Sequence, residues 1–199
     1  MLIRYGCELS VVVNQPTPSF CLVDIHPDRR PDIMEEAPLT AWPSVPLTDE
    51  SDAFGNRLRR FTAPAGETVL RLSGIIADSG IPEVRDMTAP VVPVPHLPVD
   101  ALSYLSGSRY CETDKLGSVA WGTFGHLARN GALVQAICDF TNAHITFDYQ
   151  RARSTRTALE AYEERAGVCR DFAHLAITLM VTVPRQWVIH PCVQAPAAQ

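Results

Sequence analysis

Three features of the sequence place the chain in the α+β class, as an N-terminal antiparallel β-sandwich-like domain followed by a helical core. Over roughly the first eighty residues, apolar side chains alternate in short runs cut by glycine and proline. Five prolines, Pro82, Pro90, Pro93, Pro95 and Pro98, then crowd a stretch that can be neither a central strand nor a helix interior. Beyond them the apolar spacing lengthens from two to nearly four. The expected organisation is a β-rich domain over residues 1–81, a linker over 82–98 and a second domain over 99–199.

The first strand is expected at residues 3–13, where Ile3, Tyr5, Cys7, Leu9, Val11 and Val13 share one face. Pro16 and Pro18 break it, and a second strand follows at residues 20–25, closed by His26 and Pro27. Residues 28–50 carry Pro31, Pro38, Pro43 and Pro46 and read as loop or short edge strand. Gly55 and Asn56 signal a turn; residues 57–62 and 67–76, joined through Pro64 and Gly66, read as a hairpin. In the second part Asp100 is placed to cap a short helix through Leu102 and Leu105, and Leu116, Val119, Ala120 and Phe124 mark the next. Asn130 caps a third helix carrying Leu133, Val134, Ile137 and Phe140, and residues 145–149 read as a short extended piece. Thr157 with Glu160 makes a capping box for a helix ending at Gly167.

Bulk properties narrow the function. With 17 basic and 22 acidic side chains the formal charge is −5, and no run of like charge suggests a nucleic-acid or anionic-membrane surface. The six cysteines stand singly, without a Cys-x-x-Cys pair, so neither a zinc site nor a disulfide framework is expected. The alternating N-terminus lacks the apolar core of a signal peptide, and no stretch is long enough to span a bilayer. A cytoplasmic location with reduced thiols follows as the expectation.

Chemistry is expected at Cys169. Gly167 is read as the positive-φ end of the preceding helix, and from Cys169 onward Phe172, Leu175, Ala176 and Leu179 form a buried helical stripe. This puts Cys169 in the first turn of a core helix. Free backbone N–H groups and the positive end of the helix dipole stabilise a thiolate there, and Arg170 adds positive charge. A packed apolar role is the commoner fate of a free cysteine.

The surrounding residues weigh toward the nucleophile. Residues 157–175, Thr-Ala-Leu-Glu-Ala-Tyr-Glu-Glu-Arg-Ala-Gly-Val-Cys-Arg-Asp-Phe-Ala-His-Leu, resemble the nucleophile segment of the bacterial transglutaminase-like superfamily. The runs Ser-Arg-Tyr-Cys-Glu-Thr-Asp from Ser108, Ala-Trp-Gly-Thr-Phe-Gly from Ala120 and Val-Gln-Ala-Ile-Cys-Asp-Phe from Val134 are similar to the same family. The resemblance implies a papain-like core behind a β-rich domain, with Cys169 as catalytic thiol. It also implies a histidine and an aspartate on later strands. No acidic residue follows Asp171, and the resemblance fades after Leu179. The chain is therefore expected to be truncated or frameshifted there, carrying the helical first half of the core and catalytically incomplete. Papain-like proteases place an oxyanion glutamine six residues before the cysteine, where this chain has Glu163.

Six histidines are candidate bases: His26, His96, His126, His144, His174 and His190. Five residues of helix turn His174 roughly 140° from Cys169 and carry it about 7.5 Å along the axis, out of reach. A helix ending near Met180, with residues 184–190 returning as a strand, brings His190 toward the thiol. In the family the histidine comes later, so none is assigned.

The expected function is cysteine-dependent acyl transfer or amide hydrolysis on peptide or protein substrates through the Cys169 thiolate, without a cofactor. The alternative is a non-catalytic protein-binding or structural module of the same fold, with an exposed sheet edge available for self-association.

Overall fold

The computed structural model describes residues 1–185, with side chains through Val183. Two compact units divide the chain, Met1–Glu83 and Val84 onward.

The first unit is built from six strands: β1 (Leu2–Val13), β2 (Thr17–Cys21), β3 (Ile33–Trp42), β4 (Thr48–Ser51), β5 (Arg57–Ala63) and β6 (Gly66–Ala77). They form two three-stranded antiparallel sheets, ordered β1-β6-β3 and β2-β5-β4. Leu39, Phe61, Ala63, Leu70 and Leu72, drawn from both sheets, make one buried core. Period-two alternation requires this arrangement, because each sheet has one apolar face that must meet another.

Several expectations are corrected. The second strand comes earlier, at Thr17–Cys21, with Pro18 inside it; residues 28–50, expected as loop or short edge strand, hold two edge strands, of which β3 is ten residues long. Both proline-bearing strands lie at sheet edges, and Pro38 falls at the register break between Ala37 and Thr40, where a missing N–H interrupts no regular ladder. Nor are β5 and β6 a hairpin. β5 pairs with β4 across the Gly55 turn, whereas Gly66, at φ 105°, starts β6 in the other sheet. There β6 pairs with β1 along its whole length, from Val13↔Gly66 to Leu2↔Ala77. That pairing is remote in sequence and invisible to a local pattern.

The second unit opens with the proline-rich stretch, which is hydrogen-bonded into it. Gly131 and Ala132 donate their backbone N–H groups to Ala89 and Met87, and Val91 donates to Arg129. Two 3-10 helices follow, Val94–His96 and Val99–Leu105; the cap position of the latter is Pro98, and Asp100 accepts from the N–H of Ala101 instead. Next come α1 (Gly117–Phe124), α2 (Gly131–His144), β7 (Thr146–Phe147), α3 (Ala158–Glu164), β8 (Ala166–Gly167) and α4 (Cys169–Arg185). The Asn130 side chain caps α2 by accepting from Ala132, and Thr157 with Glu160 forms a complete capping box on α3.

α4 is the centre of this unit and packs against α1, α2 and α3. Leu175, Leu179 and Val183 recur on its buried face beside Leu116, Ala120, Phe124, Leu133 and Ile137. Each fully buried leucine contributes about 1.5–3 kcal/mol relative to exposure. The helix runs on to Arg185, past the expected end near Met180, so Pro184 lies in its last turn and does not begin a return strand. His190 and the rest of the expected strand lie outside the described residues. No described helix is long and apolar enough to cross a membrane.

Candidate active site

α3 ends at Glu164, and Arg165 takes the left-handed conformation that closes it, at φ 52° and ψ 30°. This corrects the expectation for Gly167, which lies in β8. Its glycine is needed for room: a Cβ there would stand 2.6 Å from the Asp171 Cβ and 2.8 Å from an Asp171 carboxylate oxygen. β8 pairs in parallel with β7, Thr146 donating to the Arg165 carbonyl and Asp148 to that of Gly167. The turn from α3 to α4 is thus held on its outer side by two backbone bonds.

Cys169 is the first residue of α4, a helix of 17 residues, and its side chain is exposed. A helix leaves its first N–H groups without intrahelical acceptors. Val168 donates to Asp171 Oδ2 at 2.9 Å, while the N–H of Cys169 has no acceptor among the described residues. The exposed thiol and a free donor therefore belong to the same residue.

Beneath them lies a buried ionic cluster. Asp171 is 1% exposed, and its Oδ2 also accepts from Arg156 Nη1 at 3.0 Å; Arg156 is itself 1% exposed. Arg156 is fixed from the other side by Glu164, through bonds of 3.2 and 3.0 Å, and by the Arg151 carbonyl at 2.7 Å. Burial pushes the Asp171 carboxyl up, but the Val168 N–H and the Arg156 and Arg170 guanidiniums outweigh it and hold the group below the usual aspartate range.

Arg170, expected to lend charge to the thiol, is engaged elsewhere. It donates to the Ser154 and Arg153 carbonyls at 2.7 Å each, touches Asp171 Oδ1 at 3.4 Å and lies over the Tyr110 ring. His174 stacks on that same ring, with centroids 5.4 Å apart, and its buried Nδ1 has no hydrogen-bond partner among the described residues. Burial lowers its pKa, helped by Arg170 and opposed by Asp171.

None of the described histidines hydrogen-bonds Cys169. His26 bonds Phe54 and Asp28 in the first unit, His96 and His126 are exposed, and His144 is stacked between Phe140 and Tyr162. No described cluster of His, Cys, Asp or Glu is arranged to hold a metal. The residues missed from the sequence are Asp171, Arg156 and Tyr110. Asp171 was legible in principle, since an acid three residues after the residue that opens a helix is the spacing of a reciprocal cap.

A thiol at a core-helix N-terminus, in a helical unit preceded by an antiparallel sandwich, defines the class of cysteine protease-like folds. Residues 124–186 match the model of the transglutaminase-like superfamily, continuing past Leu179, where the resemblance read from the residues ends. The chain is also similar to a solved structure of a candidate cysteine protease from Cytophaga hutchinsonii, with a TM-score of 0.76 and 26% identity. That match covers 92% of this chain and 66% of the other, so the chain spans about two thirds of its solved relative. No curated protein matches the chain significantly. On these findings residues 124–186 carry a transglutaminase-like domain, and the chain has the fold of its solved cysteine protease-like relative.

Proposed function

We propose that Cys169 is the nucleophile of a cysteine-dependent acyl transfer or amide hydrolysis on peptide or protein substrates. The observation that carries this reading is the exposed thiol at the first residue of α4, beside its own N–H, which has no acceptor among the described residues. The thiolate sulfur bonds to the amide carbonyl carbon, and the carbonyl oxygen becomes an oxyanion that accepts from the Cys169 N–H. Collapse expels the amine, which takes up a proton, and leaves an acyl-thioester; water then yields the acid, or a second amine yields a new amide. The test is release of ammonia or amine from a glutamine-containing peptide, which Cys169→Ala should abolish. Turnover retained in that variant rejects the assignment.

One observation supports a second reading, a non-catalytic protein-binding module: among the described residues, no side chain stands against Cys169 as a base. The two readings separate on the thioester, which the enzyme turns over and the module keeps.

A further inference from the structure

We propose that the buried Arg156–Asp171 pair is a positioning device that aims the Cys169 N–H as an oxyanion donor. The inference rests on the acyl-transfer reading above and adds two residues that touch no reacting atom.

Asp171 Oδ2 accepts two bonds, one from Arg156 Nη1 at 3.0 Å and one from the Val168 N–H at 2.9 Å. The second takes up the donor immediately before Cys169. Val168 is the residue that enters the helix: its N–H, in the peptide from Gly167, is held by the Asp171 carboxylate. Its carbonyl, in the planar peptide that carries the Cys169 N–H, accepts from the Asp171 and Phe172 N–H groups at 2.7 and 3.3 Å. Asp171 thus grips Val168 from both sides and sets the direction of the Cys169 N–H. Gly167 presses on Asp171 so closely that no Cβ fits, which removes slack on the same side. Arg156 cannot follow a shift of Asp171, because Glu164 and the Arg151 carbonyl hold its other nitrogens. The chain on both sides of the α3–α4 turn is thereby tied to one buried guanidinium.

A pair kept only for stability would not need this bond. Replacing a buried ion pair by apolar groups of similar size is often neutral or stabilising, so the energetics alone do not explain it. What an apolar replacement cannot do is accept the Val168 N–H.

The step this serves is addition to a carbonyl, in which negative charge gathers on oxygen. Alkylation by iodoacetamide displaces iodide from carbon at the same sulfur and needs no oxyanion donor. With 4-nitrophenyl acetate, the sulfur forms the S–C bond and nitrophenolate leaves with the electrons of the C–O bond. The ratio of acetylation to alkylation rates at Cys169 therefore reports donor placement and cancels thiol exposure and thiolate fraction.

The experiment uses the full 199-residue chain, with mass-spectrometric mapping of both reactions and the exposed Cys138 as internal reference. Asp171→Ala alone strands a buried arginine, so it is paired with Arg156→Met, which removes both charges and still frees the Val168 N–H. That double variant is expected to lose about tenfold or more in the ratio, short of the ~100-fold or greater cost of deleting an oxyanion donor outright. Asp171→Asn keeps an acceptor oxygen of the same shape and is expected to stay within about threefold of the unaltered chain, as acceptor placement requires.

An unchanged ratio in the folded double variant overturns the inference. So does an equal loss in Asp171→Asn, which would make charge and not acceptor placement the cause. A wild-type ratio at Cys169 no higher than at Cys138 overturns it too. Failure of the acetyl-thioester to turn over counts against the enzymatic reading alone, since the ratio depends only on its formation.

Discussion

Each unit buries an arginine–aspartate pair, and the two pairs hold different things. In the sandwich Arg59 grips Asp24 with two bonds, at 2.8 and 2.9 Å, and also bonds Asp49, drawing together the chain after β2 and strands β4 and β5. These are bonds between side chains, and the Asp24 pair raises Arg59 still further above its ordinary pKa. In the helical unit Asp171 divides one oxygen between Arg156 and a backbone N–H next to the exposed thiol. Burial of a pair is weak evidence for stability in either place. Its role is read from what the carboxylate holds besides the arginine: strands in the first unit, the entry to the nucleophile helix in the second.

The largest expected effect separates chemistry from structure. Cys169→Ala should remove all acylation at that position, yet unfold within about 0.5 kcal/mol of the parent, because the residue is exposed. Urea titration read beside adduct mapping checks both halves.

Arg156→Ala strands Asp171 without its main partner and should cost about 3–5 kcal/mol. Arg59→Ala should cost less, because Asp49, one of its two partners, is half exposed and Asp24 keeps some exposure, whereas the Asp171 side chain has none. Equal losses in urea midpoints would break the contrast between the two pairs. Gly167→Ala forces a shift against Asp171 and is expected to destabilise by about 1–3 kcal/mol. It should also slow acylation at Cys169, an effect no substitution in the sandwich should reproduce.

The smallest effects are in pH dependence. Asp171 has a folded pKa below its unfolded value, so the stability it contributes is present above about pH 4 and is lost as pH falls through the depressed folded value. Asp171→Asn should flatten that acid slope in urea midpoints taken from neutral pH downward. His174 is depressed as well; as a base it leaves the unfolded chain binding the extra proton, so stability is full above about pH 6.5 and declines below it. His174→Phe keeps a ring on Tyr110 and should flatten that region, and His174→Ala should leave acetylation of Cys169 within about threefold, given the helix geometry.

Local signals carried much of the fold. The Asn130 cap, the Thr157–Glu160 capping box and the start of α4 at Cys169 are set by neighbours within four residues, and sequence spacing finds them. Long-range pairings are different. Nothing near Gly66 says that β6 will pair with β1, and Pro18, which reads as a strand breaker, lies inside an edge strand where a proline is tolerated. At the site, the cysteine was legible from its helix pattern and its motif, whereas its support was not. Arg156 reads as one more surface arginine until α3 and α4 fold over it. Gly167 reads as a turn glycine in the sequence, yet Arg165 takes the positive φ and Gly167 makes way for Asp171.

The most direct test of the central claim is a competition among the chain's own thiols. Cys169 and Cys138 are both exposed, so accessibility alone predicts comparable reaction with 4-nitrophenyl acetate at neutral pH. A nucleophile supplied with an oxyanion donor predicts that Cys169 is acetylated first, by about a hundredfold. Acetylation of Cys138 at an equal or greater rate, read by peptide mapping at partial modification, would contradict the account.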